Sequence, residues 1–495
     1  MTSTAHTTTD AITDLSAGEL SQAIHQGTLS CRAVMAAYLE RIHTLNPALN
    51  ALVMLRDDDV LMAEAGTCDA ELAAGTSRGW MHGMPQAIKD TAHVAGLPTT
   101  LGCTLLRHSV AKADSIIVER VKAAGALIVG KTNVPEFAMG SHTFNPIFGV
   151  TPNAYDPTRS AGGSSGGGAV ALAHRLLPVA DGSDFMGSLR NPAAWNNCFG
   201  MRPSQGLVPF APGPDVWLSQ LGTEGPMARN VADLARLLYT QAGDDPRQPL
   251  SWSPSGSKSV GLRELRGLRV GWLGDLGGHL ATEAGVLQAC ESGLERLRSN
   301  GAVVTPVQLN IDLDAVWQCW LAWRRALVGP RVGALMGMAG ARDAIKPESL
   351  WEYDQSVVMD MATFMQASET RTRLYNRMTA LFETVDVLAM PVTQTWPFPI
   401  EQRWPQNIEG RRMDTYHRWM ESTIYATLTG LPAISVPAGF DATGRWPMGL
   451  QLIGQRRGDA ELLSVAAAYE SHIGDWLSVR PTPPQLGRAP VPLPV

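Results

Sequence analysis

An α/β fold, with helices covering a sheet, is predicted by three features of the sequence. Between about residues 80 and 240, short apolar runs alternate with Gly-rich and Pro-rich loops in which charge is sparse. Downstream of this region, apolar stretches of strand length alternate with amphipathic helical patterns, the signature of layered helix and strand. The 495 residues are 45% hydrophobic and only 17% charged, enough to bury a large core without disulfides or metals.

Taken in order, residues 1–14 carry neither a basic start nor an apolar run, so they read as a flexible tail and not as a signal peptide. Residues 16–45 read as two helices. Ser16 and Glu19 fit a capping box ahead of Leu20 and Ile24. Gly27-Thr28 breaks the pattern, and Val34, Tyr38 and Ile42 resume it at spacing four. Ile116 to Ala124 reads as a helix and Leu127 to Val129 as a short buried strand. Leu268 to Leu273 is a strand. Ala281 to Leu297 is a helix with Val286, Cys290, Leu294 and Leu297 on one face, and Val303 to Leu309 is a strand. A Trp- and Met-rich helical insertion occupies about 310–380. Val387 to Met390 and Ala433 to Val436 are late buried strands. Ser422 to Phe440 is apolar, but Gly430, Pro432 and Pro437 interrupt it, so it reads as a buried helix followed by a strand and not as a membrane span. No repeat or linker divides the chain, so 15–480 is read as one domain, and the Pro-rich 481–495 as a surface tail.

The net charge of −6 comes without blocks of like charge, which argues against nucleic acid and anionic membranes as partners. Six scattered cysteines without a CxxC pair read as reduced core residues of a cytoplasmic protein. There is no HExxH, and His82, His93, His142 and His174 lack ligand spacing. They read as structural, and neither a metal nor a cofactor is expected.

The densest glycine run is Gly162-Gly163-Ser164-Ser165-Gly166-Gly167-Gly168. It is compatible with a flexible turn, a phosphate cradle, or a site where serine hydroxyls do chemistry. It matches the GxSxG nucleophile elbow, but that motif requires a strand directly before it, and Asn153 to Arg159 is turn chemistry. Gly125 to Thr132 matches the GxxxxGK[ST] phosphate loop, yet its middle residues, Ala-Leu-Ile-Val, favour the strand itself, and Pro135 forestalls a long helix. Lys89 ends an apolar stretch with few charged neighbours. It is either a surface charge or, if buried, a neutral base. In Gly182 to Pro192, small residues ahead of Ser188 allow consecutive N–H groups to converge as an oxyanion hole.

These stretches together resemble the amidase signature family. The resemblance rests on Lys89 in GMPQAIKD, the GGSSGG run, and Ser188 in DFMGSLR followed by NPAAW. Intervals of 75 residues from Lys89 to Ser164 and 24 from Ser164 to Ser188 fit the family. GALIVGKTNVPEFAMGS, GMRPS, EGPMAR, GLPAISVPAG and MGLQLIG support it, and the likeness spans about residues 15–480. It implies a mixed, twisted central β-sheet flanked by α-helices on both faces. It also implies a serine amidohydrolase that cleaves carboxamide C–N bonds through an acyl-enzyme. In that reading Ser188 is the nucleophile, Ser164 the bridging serine after a cis peptide, and Lys89 the base. The amides of Phe185, Met186, Gly187 and Ser188 face the oxyanion, and Ser165, Asp184 and Arg190 support the site. One departure stands out. Met186 replaces the first of two glycines usual before the nucleophile.

On the substrate side, Met139, Gly140, Trp317 and Trp320 are candidate pocket residues. Trp317, Trp320 and Trp323, with Met336, Met338, Met359 and Met361, either roof an apolar pocket or pack into the core, and such stripes usually face inward. A roof would favour hydrophobic amides, anilides or aryl carbamates (urethanes), with esters as side substrates. The expected partner is a small-molecule amide, and the expected state a monomer or homodimer. The alternative function is the amidase component of a glutamine-dependent amidotransferase.

Overall fold

The computed structural model describes residues 9–484 apart from 211, 212, 214, 255–260 and 262, together with 493–494. Its centre is an eight-stranded sheet in the spatial order Val303–Pro306, Arg269–Trp272, Val387–Pro391, Pro447–Ile453, Ala433–Phe440, Phe199–Arg202, Thr223–Ala228, Ala180–Asp184. The first three strands pair in parallel and all later pairings are antiparallel, so the sheet is mixed. Both faces are covered. Val387 and Ala389 enter one core with the helices Val231–Gln241, Val286–Ser299 and Asp459–Glu470, while Leu388 and Met390 enter another with Leu313–Gly333 and Ile424–Thr429. This is the period-two alternation of a strand buried on both sides.

Beside the Ala180–Asp184 edge lies a three-stranded sheet, Leu52–Val53, Leu127–Thr132 and Pro85–Lys89, with Leu127–Thr132 in the middle. A side chain joins the two sheets here: Lys89 N–H donates to Asp181 Oδ2 at 3.1 Å. The apparent phosphate loop is therefore a strand. Its Lys131 is fully buried, donates to Ala92 O at 2.7 Å and lies 3.3 Å from Asp90.

Several boundaries differ from expectation. Residues 1–8 lie outside the described residues, but Thr9–Asp14 of the expected tail is a helix, because Ile12 is buried in the core and Asp10 pairs with Arg41 at 2.6 Å. The helix expected from Ala281 starts at Val286, after Gly285 in the left-handed region (φ 88°). The strand expected to reach Leu309 stops at Pro306 on the sheet edge, where proline supplies no ladder donor. At the far end, residues 485–492 and 495 lie outside the described residues, while Pro494 O accepts from Arg403 at 3.1 Å. Between Val303–Pro306 and Val387–Pro391 the chain forms the helices Leu313–Gly333, Ala341–Ala344, Pro347–Val357 and Met361–Leu381.

Removing one member of a buried pair leaves an uncompensated charge, at a cost of about 3–5 kcal/mol. Lys131→Met should therefore lower unfolding stability by that order in denaturant titrations. An unchanged midpoint would show that the Asp90–Lys131 pair does not act as a pair.

Candidate active site

Lys89 is the last residue of its strand, and its side chain turns into the gap between the two sheets. Its Nζ lies 2.8 Å from Ser164 Oγ, 2.8 Å from Ser165 Oγ and 2.9 Å from Ser183 Oγ. Burial pushes the amine down from 10.5 to about 7, although Asp181, Asp184 and Glu224 pull the other way. Desolvation wins because an ammonium ion loses its hydration and gains no contacting carboxylate.

The serine run is held from outside. Ser141 Oγ donates to Gly163 O at 2.6 Å and accepts from Gly163 N–H at 3.0 Å, while Thr143 Oγ1 donates to Gly162 O at 2.8 Å. The Gly163–Ser164 bond is cis. The run then enters the helix Gly166–Ala173. A Cβ on Gly167 would stand 2.4 Å from Asn133 N and 2.6 Å from Ala51 O, so a neighbouring backbone requires glycine there.

The third element is the turn from Asp184 to Leu189. Asp184 is fully buried and accepts from Gly187 N–H (2.9 Å), Leu189 N–H (3.2 Å), Arg190 Nε (3.0 Å) and Arg190 Nη2 (2.8 Å). Arg202 Nη1 donates to the Asp184 carbonyl at 2.7 Å. Burial alone would raise the Asp184 carboxyl, but Arg190 and Arg202 overcome it and hold it well below the usual range. Arg190 reaches on to Thr423 O, Thr427 Oγ1 and Gln451 Oε1, locking the turn onto the sheet.

The predicted site residues are thus partly assembled. Lys89, Ser164 and Ser165 meet directly. Ser188 is tied to them through its backbone, Ser165 N–H donating to Ser188 O at 3.1 Å. Its hydroxyl has no hydrogen-bond partner among the described residues and does not close onto Ser164. It is also the most open of the three, at 7% exposure against 1% for Lys89 and for Ser164. Gly187 is a correction to the expected oxyanion donors, since its N–H is committed to Asp184. The amides of Phe185, Met186 and Ser188 find no acceptor among the described residues. Met186 is buried in the core and its φ is not left-handed, so a side chain fits where the family usually has glycine.

The pocket candidates divide. Trp320 packs on Phe185 (5.4 Å between centroids), and Phe185 also borders the cluster holding Met139. Gly140 faces the Tyr416 ring. Trp317 packs instead on His417 and under Arg418. Trp317 and Trp320 are core residues. Met338, in the turn between the Leu313–Gly333 and Ala341–Ala344 helices, and Met361, the first residue of the Met361–Leu381 helix, are exposed and form no roof. Cys68, Glu71 and His82 bring ligand-type atoms within 4.8 Å of one another. Hydrogen bonds already engage two of the three: Arg78 holds the Glu71 carboxylate, and His82 Nδ1 accepts from Arg78 N–H while its Nε2 bonds the Cys68 carbonyl.

Sequence reasoning missed Ser141, Thr143, Asp181, Ser183 and Glu224. Ser141 and Glu224 sit inside stretches that matched the family, without an assigned role. Asp181 and Ser183 could have been found by alternation, since residues two apart in a strand share a face.

The amidase family model matches residues 33–463. The chain belongs to the amidase family. A glutamyl-tRNA(Gln) amidotransferase subunit from Thermosynechococcus vestitus is 34% identical over 91% of this chain and 96% of its own. An acylamidase of Rhodococcus erythropolis is 32% identical over 94% and 97% respectively. The crystal structure of a bacterial aryl acylamidase of the amidase signature enzymes superposes with a TM-score of 0.87 at 28% identity, covering 94% of this chain and 99% of that one. This amidase is accordingly a hydrolase of amide C–N bonds. Among its described residues no helix is long and apolar enough to cross a membrane.

Asp184→Asn leaves Arg190 and Arg202 buried without their carboxylate. By the same accounting it should cost about 3–5 kcal/mol of stability, read as a lowered Tm in calorimetry. A Tm equal to that of the parent amidase would show that the arginines find compensation elsewhere.

Proposed function

We propose that this amidase is a serine amidohydrolase working through an acyl-enzyme on Ser188, with Ser164 as proton bridge and Lys89 as base. The observation that carries the reading is the buried Lys89 amine 2.8 Å from Ser164 Oγ, pushed down to about 7 by burial. A neutral amine has two N–H bonds and one lone pair. With N–H donated to Ser165 and Ser183, the lone pair is left for the Ser164 hydroxyl. A serine hydroxyl is a weak nucleophile until its proton has somewhere to go, and this route supplies the destination.

In the forward step Ser188 Oγ attacks the amide carbon, its proton passes to Ser164 Oγ, and the Ser164 proton passes to Lys89 Nζ. The apo gap between Ser188 and Ser164 closes in the substrate complex, as such contacts commonly do. The carbonyl oxygen takes the negative charge and faces the free amides of Phe185, Met186 and Ser188. Each well-placed donor contributes on the order of 3 kcal/mol. When the tetrahedral species collapses, Ser164 protonates the departing amine and Lys89 returns a proton to Ser164. Water then attacks the acyl-enzyme by the reverse relay.

Phe185 and Trp320, with Met139 nearby, support substrates with an apolar or aryl portion, such as amides and anilides, with carbamates and esters as further candidates. The likeness to an amidotransferase component supports a second reading, glutamine hydrolysis within a larger assembly. The free, buried cysteines support a cytoplasmic setting, and we take the enzyme to act alone as a monomer or homodimer.

Ser188→Ala should abolish turnover of a chromogenic anilide, and Lys89→Met and Ser164→Ala should each lower kcat by at least about 100-fold, the usual worth of acid–base catalysis. A sulfonyl fluoride should modify Ser188, as mapped by peptide mass. Modification of Ser164 or Ser165 instead would refute the nucleophile assignment. Ammonia release from glutamine alone, with no anilide, carbamate or ester turned over, would favour the second reading.

A further inference from the structure

Two carboxyl groups behind Lys89 have no part in the relay. In the pairing of Ala180–Asp184 with Thr223–Ala228, Glu224 lies opposite Ser183, and Pro226 opposite Asp181. Asp181, Ser183 and Glu224 therefore share one face of the sheet, with Asp181 and Glu224 as diagonal neighbours within reach of a long side chain. Lys89 meets the Ala180–Asp184 strand through Ser183 Oγ and through Asp181 Oδ2.

Asp181 is 1% exposed and Glu224 2%. Asp181 Oδ1 and Glu224 Oε2 are each buried without a hydrogen-bond partner. Two ionised carboxylates offer only acceptors, so side by side they leave both oxygens unsatisfied, and a single proton between them completes both. The proton belongs on Glu224. Its carboxyl accepts no hydrogen bond from any described residue, whereas Asp181 Oδ2 already holds the Lys89 N–H.

We propose that Glu224 is a carboxylic acid donating its O–H to Asp181 Oδ1, and that this pair, with its single negative charge, keeps Lys89 neutral. Glu224 is thus a positioning residue acting through the base. A charge count favours the arrangement. Asp184 with Arg190 and Arg202 leaves one positive charge, and Asp90 and Lys131 cancel. The Asp181–Glu224 pair supplies one negative charge, and a neutral Lys89 closes the balance. Ionising Glu224 would add a second negative charge and draw a proton onto the amine, which would block the base. During acylation the same single charge faces the ammonium that forms transiently. The titration directions agree: burial, then Asp181, pushes Glu224 up to about 8, and burial pushes Asp181 up to about 6.

The inference rests on Lys89 as base, so its test uses one readout that needs no turnover. In Ser188→Ala protein at pH 7, infrared spectroscopy should show the C=O band of a protonated buried carboxyl, and Glu224→Gln should remove it. In otherwise active enzyme, Glu224→Leu leaves Asp181 as a bare charge beside the amine. It should move the acid limb of kcat/KM up by about one pH unit with KM unchanged. Glu224→Gln, whose amide N–H replaces the acid O–H, should return the limb to its original position. Absence of the carboxyl band, or equal losses in both variants at every pH with the limb unmoved, would overturn the proposal. A band that persists while Lys89→Met remains active would contradict the role of Lys89 and not the shared proton.

Discussion

Everything in this site depends on the desolvation of one amine. Lys89 is carried by a strand end into the seam between two sheets, where its neighbours are hydroxyl oxygens. Water would hold the proton on this amine, and a contacting carboxylate would hold it more firmly. The seam leaves Lys89 1% exposed and puts hydroxyl groups, not a carboxylate, against its amine. Asp181 faces the Lys89 backbone, and the charge of Asp184 is outweighed by two arginines. The fold thus places negative charge near the amine while burial weakens its hold on a proton, bringing it down to about 7.

The same constraint explains the density of glycine and serine around the seam. Gly167 passes within van der Waals distance of the Asn133 and Ala51 backbones, and Gly187 adopts φ 78° where a Cβ would strike Asn191 and Thr423. Only small residues let the serine run, the 184–189 turn and the lysine strand come this close. Rigidity comes from the surrounding hydrogen bonds of Ser141, Thr143, Asp184 and Arg190. Ser188 is left with a hydroxyl that no described residue engages and that is 7% exposed.

Much of this was legible in the sequence. The capping box of Ser16 and Glu19, the strand at Leu127 and the late strands at Val387 and Ala433 follow from periodicity and turn chemistry, and they stand in the structure. Lys89 and Ser164 are paired by the resemblance to the amidase signature family, and they do meet. What escaped depends on pairing between distant segments. That Glu224 lies opposite Ser183 is a matter of strand register, and that Gly187 N–H is claimed by Asp184 is a matter of local turn geometry. Neither leaves a trace in composition. The Trp stripe is ambiguous in sequence because one spacing serves two environments: Trp320 is a core residue that also touches Phe185, while Trp317 turns to His417. The N-terminal helix is hard to read from sequence because its anchor, Ile12, is the one large apolar residue within Thr9–Asp14.

The protonation state of Lys89 is the point on which the account turns, and it can be observed without catalysis. Nitrogen NMR of the protein carrying labelled lysine, with Lys89→Met used to assign the signal, follows that one amine through a pH titration. Its midpoint is expected at about 7, far below the ordinary 10.5. A midpoint near 10.5 would mean that Lys89 is a permanent ammonium ion and cannot accept the serine proton.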